Sequence, residues 1–137
     1  MIEIQGDVLI DTNVLIYSTL KNDHRFTPAY DLISGHSSAD CHLFVSVQNL
    51  AEMYPNLTGP KMSVPDSPQT ARRKIESIMN LSHITVLPLS FEVQQKTLEL
   101  CEKYEIRKQH YFDIQIIATM IIHGIEILVT ENEKDFA

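Results

Sequence analysis

The chain has 137 residues, of which 44% are hydrophobic and 21% are charged, and this length and composition predict one globular domain over residues 1–137. Eighteen acidic residues outnumber eleven basic ones, and the net charge of −7 excludes a broad basic surface for duplex DNA. This excess of acidic residues is compatible with an enzyme that acts on a nucleic acid through a bound metal ion, because metal sites need clustered carboxylates.

The cysteines and the N-terminus indicate the cellular compartment. Cys41 and Cys101 have no CxxC spacing, which favours reduced, buried thiols. The first residues contain no basic leader, and the best membrane candidate, residues 116–122, is far shorter than the roughly 20 residues that a spanning helix needs. We therefore expect a cytoplasmic protein without a membrane segment.

The first predicted element is a buried strand within residues 8–17. Two apolar runs, Val8-Leu9-Ile10 and Val14-Leu15-Ile16, flank the polar triplet Asp11-Thr12-Asn13. Continuous β-branched runs of this kind predict a strand that is buried on both faces in a parallel sheet and that ends at a polar turn.

The rest of the chain alternates predicted helices with predicted strands. Caps, proline positions and apolar runs predict, in order, helix 26–34, strand 43–47, helix 48–54 capped by Ser46, loop 55–68, helix 69–81, strand 84–89, helix 90–104, helix 111–123 closed by Gly124, and strand 125–130. Strands that alternate with helices pair in parallel through right-handed crossovers. The sequence thus predicts an α/β fold, a three-layer α/β/α sandwich with a central parallel sheet.

Four acidic residues follow predicted strands or lie early in predicted helices. Asp11 follows the first apolar run, Glu52 lies in the helix after the second strand, Asp113 lies near the start of a late helix, and Asp135 follows the last strand. Ligands bind beyond the C-terminal ends of strands in such sheets, so we expect these carboxylates at one edge. Asp11 is embedded between apolar runs, where an ionised group is unfavourable unless it is paired or binds a metal.

Carboxylates gathered at one edge need a cation. Two unit charges about 4 Å apart repel by roughly 4 kcal/mol at an effective dielectric constant of 20. Oxygen ligands without His or Cys favour Mg²⁺ or Mn²⁺ over zinc. Such an ion polarises a phosphoryl oxygen and lowers the pKa of a bound water, so the pattern predicts metal-assisted phosphodiester hydrolysis with Asp11, Glu52, Asp113 and Asp135 as catalytic residues. The neighbours Glu131 and Glu133 are alternatives to Asp135 for the fourth position.

Three motifs, taken in order, resemble those of the PIN-domain nucleases, in particular the VapC-type toxins of prokaryotic toxin–antitoxin pairs. The first motif is residues 8–16 and the second is residues 45–52. The third is residues 112–119, followed by His123-Gly124 and by residues 127–136 with their Asp-Phe ending. The resemblance covers about residues 7 to 136.

This resemblance implies a single-strand-specific endoribonuclease that uses Mg²⁺ or Mn²⁺. Asp11, Glu52 and Asp113 would bind the metal, and Asp135 would be the fourth acid because Asn132 stands where many members have Asp. The residues that would orient ligands or water are Thr12, Asn13, Thr130 and Asn132. The family also implies a homodimer and a small antitoxin protein as partner.

Two groups of basic residues are candidate RNA contacts near the acidic site. Arg72 and Arg73 follow the proline-rich loop, and Arg107 and Lys108 precede the third acidic residue. Such cations contact phosphates, which position a nucleic acid without reading its sequence. His110 is a further candidate for a substrate contact. The alternative for all five is a solvated surface residue.

Other functions use some of the same residues. A haloacid-dehalogenase-type phosphatase needs a second aspartate two residues after Asp11, and Asn13 stands there instead. A response-regulator receiver needs an acidic pair before its acceptor strand, which this chain lacks. A non-catalytic PIN-like domain that binds RNA or protein is the remaining alternative, but a pure binder gains nothing from carboxylates that repel each other.

Overall fold

A computed structural model describes residues 6–35 and 41–131. The elements in chain order are β1 (Gly6–Ile10), α1 (Thr12–Tyr17), α2 (Phe26–Ile33), β2 (Cys41–Ser46), α3 (Val47–Thr58), α4 (Pro68–Met79), β3 (Ile84–Leu87), α5 (Phe91–Lys103), α6 (His110–His123) and β4 (Ile127–Val129). The strands form one parallel sheet in the order β3-β2-β1-β4, in which Val8 pairs with Leu43 on one side and with Ile127 on the other.

Helices cover both faces of this sheet. Val8 and Ile10 of β1 pack in the core with α1, α2, α3 and α4, whereas Leu9 points to the opposite face and packs with α6. α5 in turn packs on α6. This arrangement confirms the predicted α/β/α sandwich. None of the described helices is long and apolar enough to cross a membrane.

The second apolar run of the first predicted strand is a helix, so that part of the prediction was wrong. β1 stops at Ile10, and Asp11 caps α1 by accepting a hydrogen bond from Thr12 N at 2.8 Å. The apolar residues 14–16 are nevertheless all buried, now within α1. Periodicity does not distinguish a short buried strand from a short buried helix, which explains the error.

The predicted loop 55–68 begins later than expected, because α3 continues to Thr58. Pro55 lies inside this helix, where it cannot donate a backbone hydrogen bond. Asn56 Nδ2 donates to the Glu52 backbone oxygen at 2.8 Å and so stabilises the same turn. Gly59 caps the end of this helix, and a Cβ there would lie only 2.6 Å from the Pro55 carbonyl oxygen. Glycine is therefore required at this close approach.

The other predicted elements are present with shifted ends. Ser46 caps α3 through Asn49, and Gly124 closes α6 in the left-handed conformation with φ 69°. β3 stops at Leu87, before Pro88, and β4 is shorter than the predicted strand 125–130. The carboxyl ends of β1, β2 and β4 therefore lead directly to the predicted acidic and hydroxyl residues.

Candidate active site

Asp11 lies at the carboxyl end of β1, in the middle of the sheet, and is only 9% exposed. Its Oδ1 accepts a hydrogen bond from Thr12 N at 2.8 Å, and its Oδ2 accepts one from Thr130 Oγ1 at 2.8 Å. The Asp11 N–H also donates to Val129 O at 2.9 Å. Because β4 pairs in parallel with β1, the same pairing that builds the sheet brings the Thr130 hydroxyl to this buried carboxylate.

Glu52 lies in the second turn of α3, and both of its carboxylate oxygens have hydrogen-bond partners. Gln48 Nε2 donates to Oε1 at 2.8 Å, and the Thr12 hydroxyl lies 3.2 Å from Oε2. The fully buried Asn49 donates from Nδ2 to that hydroxyl at 3.1 Å. Thr12 directly follows Asp11, so these bonds fix the position of the Glu52 carboxylate relative to the start of α1.

Asp113 lies in the first turn of α6, where the helix dipole stabilises a negative charge. Its side chain is 42% exposed, and its Oδ2 lies 3.6 Å from His110 Nδ1. At this distance the two groups form an ion pair when the imidazole is protonated. Asp113 is thus far more accessible to solvent than the buried Asp11.

One cleft of about 1010 Å³ brings the three carboxylates together. Asp11, Glu52 and Asp113 all line its wall, and so do Thr12, Asn13, Pro55, Asn56, Lys61, Lys108, Gln109, His110, Phe112 and Ile116. The two lysines add positive charge beside the acidic wall. The cleft therefore combines oxygen donors for a cation with cations for an anionic ligand.

The oxygen donors of this cleft fit a hard divalent cation. Mg²⁺ and Mn²⁺ prefer carboxylate and water ligands, and Asp11, Glu52 and Asp113 supply carboxylates only. Within residues 6–35 and 41–131, no three His, Cys, Asp or Glu side chains are grouped closely enough to hold one ion. Mg²⁺ usually keeps several waters and needs only one or two protein carboxylates, so Asp11, Glu52 and Asp113 would be sufficient to hold such an ion.

Comparison with known proteins identifies the family. The family model of the PIN domain matches residues 8–137, which is nearly the whole chain. The chain belongs to the PIN-domain family. The matched residues include all three carboxylates of the cleft. No curated protein matches the sequence.

Solved structures share the fold of this PIN domain. The VapC20 toxin of Mycobacterium tuberculosis, described as cleaving the sarcin–ricin loop, is 15% identical with a TM-score of 0.71 over 94% of this chain and 92% of that chain. VapBC2 from Rickettsia felis, bound to a DNA fragment from its promoter, is 20% identical with a TM-score of 0.65 over 96% and 91%. A toxin–antitoxin complex from Klebsiella pneumoniae is 22% identical with a TM-score of 0.60 over 95% and 90%.

The PIN domain places the predicted orienting residues beside the carboxylates. Thr12 and Thr130 hydrogen-bond with Glu52 and Asp11 as described above, and Asn13 lines the cleft. The remaining two predicted site residues, Asn132 and the fourth acid Asp135, lie outside the described residues.

The predicted RNA contacts lie in different parts of the PIN domain. Lys108 lines the cleft and has a left-handed backbone (φ 56°), a conformation that costs a non-glycine residue about 1–2 kcal/mol. Arg72 pairs with Glu76 on α4 at 2.6 Å. Arg73 and Arg107 are exposed, and none of the three arginines lines the cleft. The sequence pattern did not predict Lys61, whose approach to the cleft depends on the segment between α3 and α4.

Three buried amide side chains near the carboxylates were not predicted as site residues. Gln48, Asn49 and Gln115 are all buried and hydrogen-bonded around the carboxylates. The spacing of Gln48 four residues before Glu52 is a detectable signal, because residues at i and i+4 share a helix face. Gln115 offers no such signal, since its role depends on how α6 packs against α3.

Proposed function

We propose that this PIN domain is the toxin of a toxin–antitoxin pair and a metal-dependent endoribonuclease that cleaves single-stranded RNA. The observation that carries the proposal is the convergence of Asp11, Glu52 and Asp113, from three different elements, on one large cleft. Three carboxylates that line one cleft concentrate negative charge there, and a bound cation would offset that charge. The described activity of VapC20, whose fold is similar, supports RNA as the substrate.

In this proposal Asp11, Glu52 and Asp113 hold Mg²⁺ or Mn²⁺, with Asp135 as the fourth acid. When bound, such an ion supplies Lewis-acid activation of the phosphodiester and of water. The Thr130 hydroxyl and the Thr12 N–H keep the Asp11 carboxylate in one orientation. Lys61 and Lys108 contact substrate phosphates from the wall of the cleft.

The proposed partners are a small antitoxin protein and a second copy of the chain. The structural neighbour from Klebsiella pneumoniae is a toxin–antitoxin complex, which supports the antitoxin. Light scattering tests the second partner, because a homodimer has twice the 15.7 kDa mass of the chain. A single species at the monomer mass at working concentration would contradict the homodimer.

The function is tested by calorimetric titration of Mn²⁺ into the wild type and Asp113→Asn, followed by cleavage assays on a mixed pool of single-stranded RNA. Asp31→Asn, at an exposed position of α2, is the matched control because it removes the same charge outside the cleft. We expect Asp113→Asn to lose at least about tenfold in Mn²⁺ affinity and to lose cleavage, since altering even the partners of metal ligands typically costs 10–100-fold. The control should behave as the wild type.

The alternative is a non-catalytic PIN-like domain that binds RNA or protein. A wild type that binds RNA but neither binds Mn²⁺ nor cuts RNA would establish this alternative. Full cleavage by Asp11→Asn would contradict the metal mechanism, because Asp11 is the most deeply placed of the three carboxylates.

A further inference from the structure

Gln48 connects two of the proposed metal ligands. It lies in the first turn of α3, is 6% exposed, and is four residues from Glu52 on the same helix. Its Nε2 donates to Glu52 Oε1 at 2.8 Å and also to the backbone oxygen of Phe112 at 2.8 Å. Phe112 directly precedes Asp113 in the first turn of α6. One amide group therefore joins the Glu52 carboxylate to the backbone that carries Asp113.

The chemistry of its partners allows the Gln48 amide only one orientation. A carboxylate and a backbone carbonyl are both acceptors, so the two protons of the NH₂ group must face them. The other side of the amide is set by Gln115, which is 5% exposed and whose Nε2 donates to Gln48 Oε1 at 2.7 Å. A flipped amide would direct an oxygen at two acceptors and an NH₂ group at a donor.

Packing alone does not require these polar groups. Two apolar side chains of similar volume would join α3 to α6 without burying amides, which are unfavourable in an apolar interior unless every partner is present. The polar pair adds a directional bond to one oxygen of Glu52. The Thr12 hydroxyl lies beside the other oxygen, so the carboxylate is held from both sides.

We propose that Gln48, oriented by Gln115, is a positioning residue that sets the Glu52 carboxylate relative to the start of α6. The consequence for metal binding rests on the function proposed above. The positioning itself is a property of the protein without metal. Gln115 acts through the Gln48 amide, to which its Nε2 donates.

The test uses Gln48→Met, Gln115→Met and the double variant, because methionine keeps the unbranched shape and removes the amide. Thr119→Val is the matched control. It removes one buried hydrogen bond on α6, from Thr119 Oγ1 to Gln115 O at 2.9 Å, and leaves the amide network intact. Thermal unfolding of each variant checks that the fold is retained.

The first measurement is the Glu52 side-chain carboxyl ¹³C resonance in the metal-free protein at one fixed pH. We expect Gln48→Met and Gln115→Met to move this resonance and Thr119→Val to leave it unchanged. Should both methionine variants leave it in place while remaining folded, the positioning role is overturned. This measurement needs neither metal nor substrate.

The second measurement is Mn²⁺ affinity by calorimetry. We expect Gln48→Met to weaken binding by about 10–100-fold, the range typical of residues that orient metal ligands, and Thr119→Val to change it less than about twofold. In the Gln48→Met background, Gln115→Met should have no further effect, because its influence passes through the missing amide. Additive losses from the two variants would contradict this order of action.

The two proposals fail in different ways. A wild type that binds no Mn²⁺ contradicts the proposed function, and the carboxyl resonance then decides the role of Gln48 alone. A wild type that binds Mn²⁺ and cuts RNA, with variants of unchanged affinity and unchanged carboxyl resonance, upholds the function and overturns the inference. Where both proposals hold, Gln48→Met should lower the kcat of RNA cleavage and leave the KM for RNA little changed.

Discussion

The two faces of the sheet differ in how large a core the helices build against them. Among the described residues, sixteen buried side chains form one core on the face of α1, α2, α3 and α4, whereas the cluster between the sheet and α6 has four. Val93 of α5 and Ala118 of α6 are buried outside both clusters. Large apolar side chains stay exposed on the helices of both faces, among them Tyr54 and Met79 on α3 and α4, and Phe91, Leu98 and Ile121 on α5 and α6. The first face therefore has far more buried apolar surface to stabilise it.

The proposed metal ligands are divided between these two faces. Asp11 and Glu52 are fixed by the sheet, α1 and α3, all of which contribute to the large core. Asp113 belongs to α6, which docks through the small one. Because regions with fewer buried contacts open more readily, the geometry of the site depends most on how α6 is held. The bonds that cross between the two parts, such as Gln48 to Phe112, therefore matter most.

The largest effect should come from the large core. Leu15 of α1 is fully buried, so Leu15→Ala should lower the free energy of unfolding by about 2–5 kcal/mol. Ile121→Ala on the half-exposed face of α6 should cost much less, below about 1 kcal/mol. Urea denaturation of both variants checks this, and equal losses would contradict the dominant contribution of Leu15 and the large core to stability.

The next effect concerns the anchor of Asp11 on the sheet. Thr130→Val removes the hydroxyl that donates to Asp11 Oδ2 and should weaken Mn²⁺ binding by about 10–100-fold. Thr85→Val, at an exposed position of β3, is the control that replaces a strand threonine away from the site. Calorimetry should show weaker Mn²⁺ binding by Thr130→Val than by Thr85→Val. Similar affinities would show that the hydrogen bond from Thr130 is not needed to hold Asp11 for metal binding.

A smaller effect should distinguish cations at the cleft from those on α4. Lys61→Gln and Lys108→Gln should each make RNA binding less dependent on salt. The slope of the logarithm of the RNA association constant against the logarithm of the salt concentration should fall in magnitude by about 0.7, the value per phosphate contact on a single strand. Arg72→Gln should leave it unchanged, because Arg72 pairs with Glu76 outside the cleft lining. Anisotropy with labelled single-stranded RNA in EDTA measures binding without cleavage. A slope that changes only for Arg72→Gln would place the RNA on α4 instead.

The smallest effect is expected at the connection between α1 and α2. Hydrogen bonds from the Arg25 side chain and backbone lower the pKa of Asp23 well below its ordinary value. A lowered carboxyl pKa stabilises the fold above the pKa of the unfolded chain, and this contribution is lost as the pH falls through the folded value. Arg25→Gln should therefore be less stable than wild type at pH 7, with the difference shrinking below about pH 4. A difference that grows on acidification in urea titrations would contradict this assignment.

The sequence could predict those parts of the site that depend on local pattern. Asp11 stood out because a carboxylate between apolar runs needs a partner, and Ser46 and Gly124 marked the ends of helices that the structure confirms. α1 was mistaken for strand, because its apolar run is too short for periodicity to decide. Lys61 and Gln115 were missed, because only the packing of distant segments gives them a role. The catalytic roles of the four acids and the single domain over 1–137 stay predictions.

By itself, the sequence determined the fold class, the family and the three carboxylates that line the cleft. Each of these depends on residue type and order along the chain, through alternating buried strands, helix caps and acids at strand ends. Only the tertiary structure decided which cations join the cleft and which side chains hold the carboxylates. Those contacts join residues such as Gln48 and Gln115, 67 positions apart in the chain, and a hydrogen bond of 2.7 Å exists only once two helices have docked.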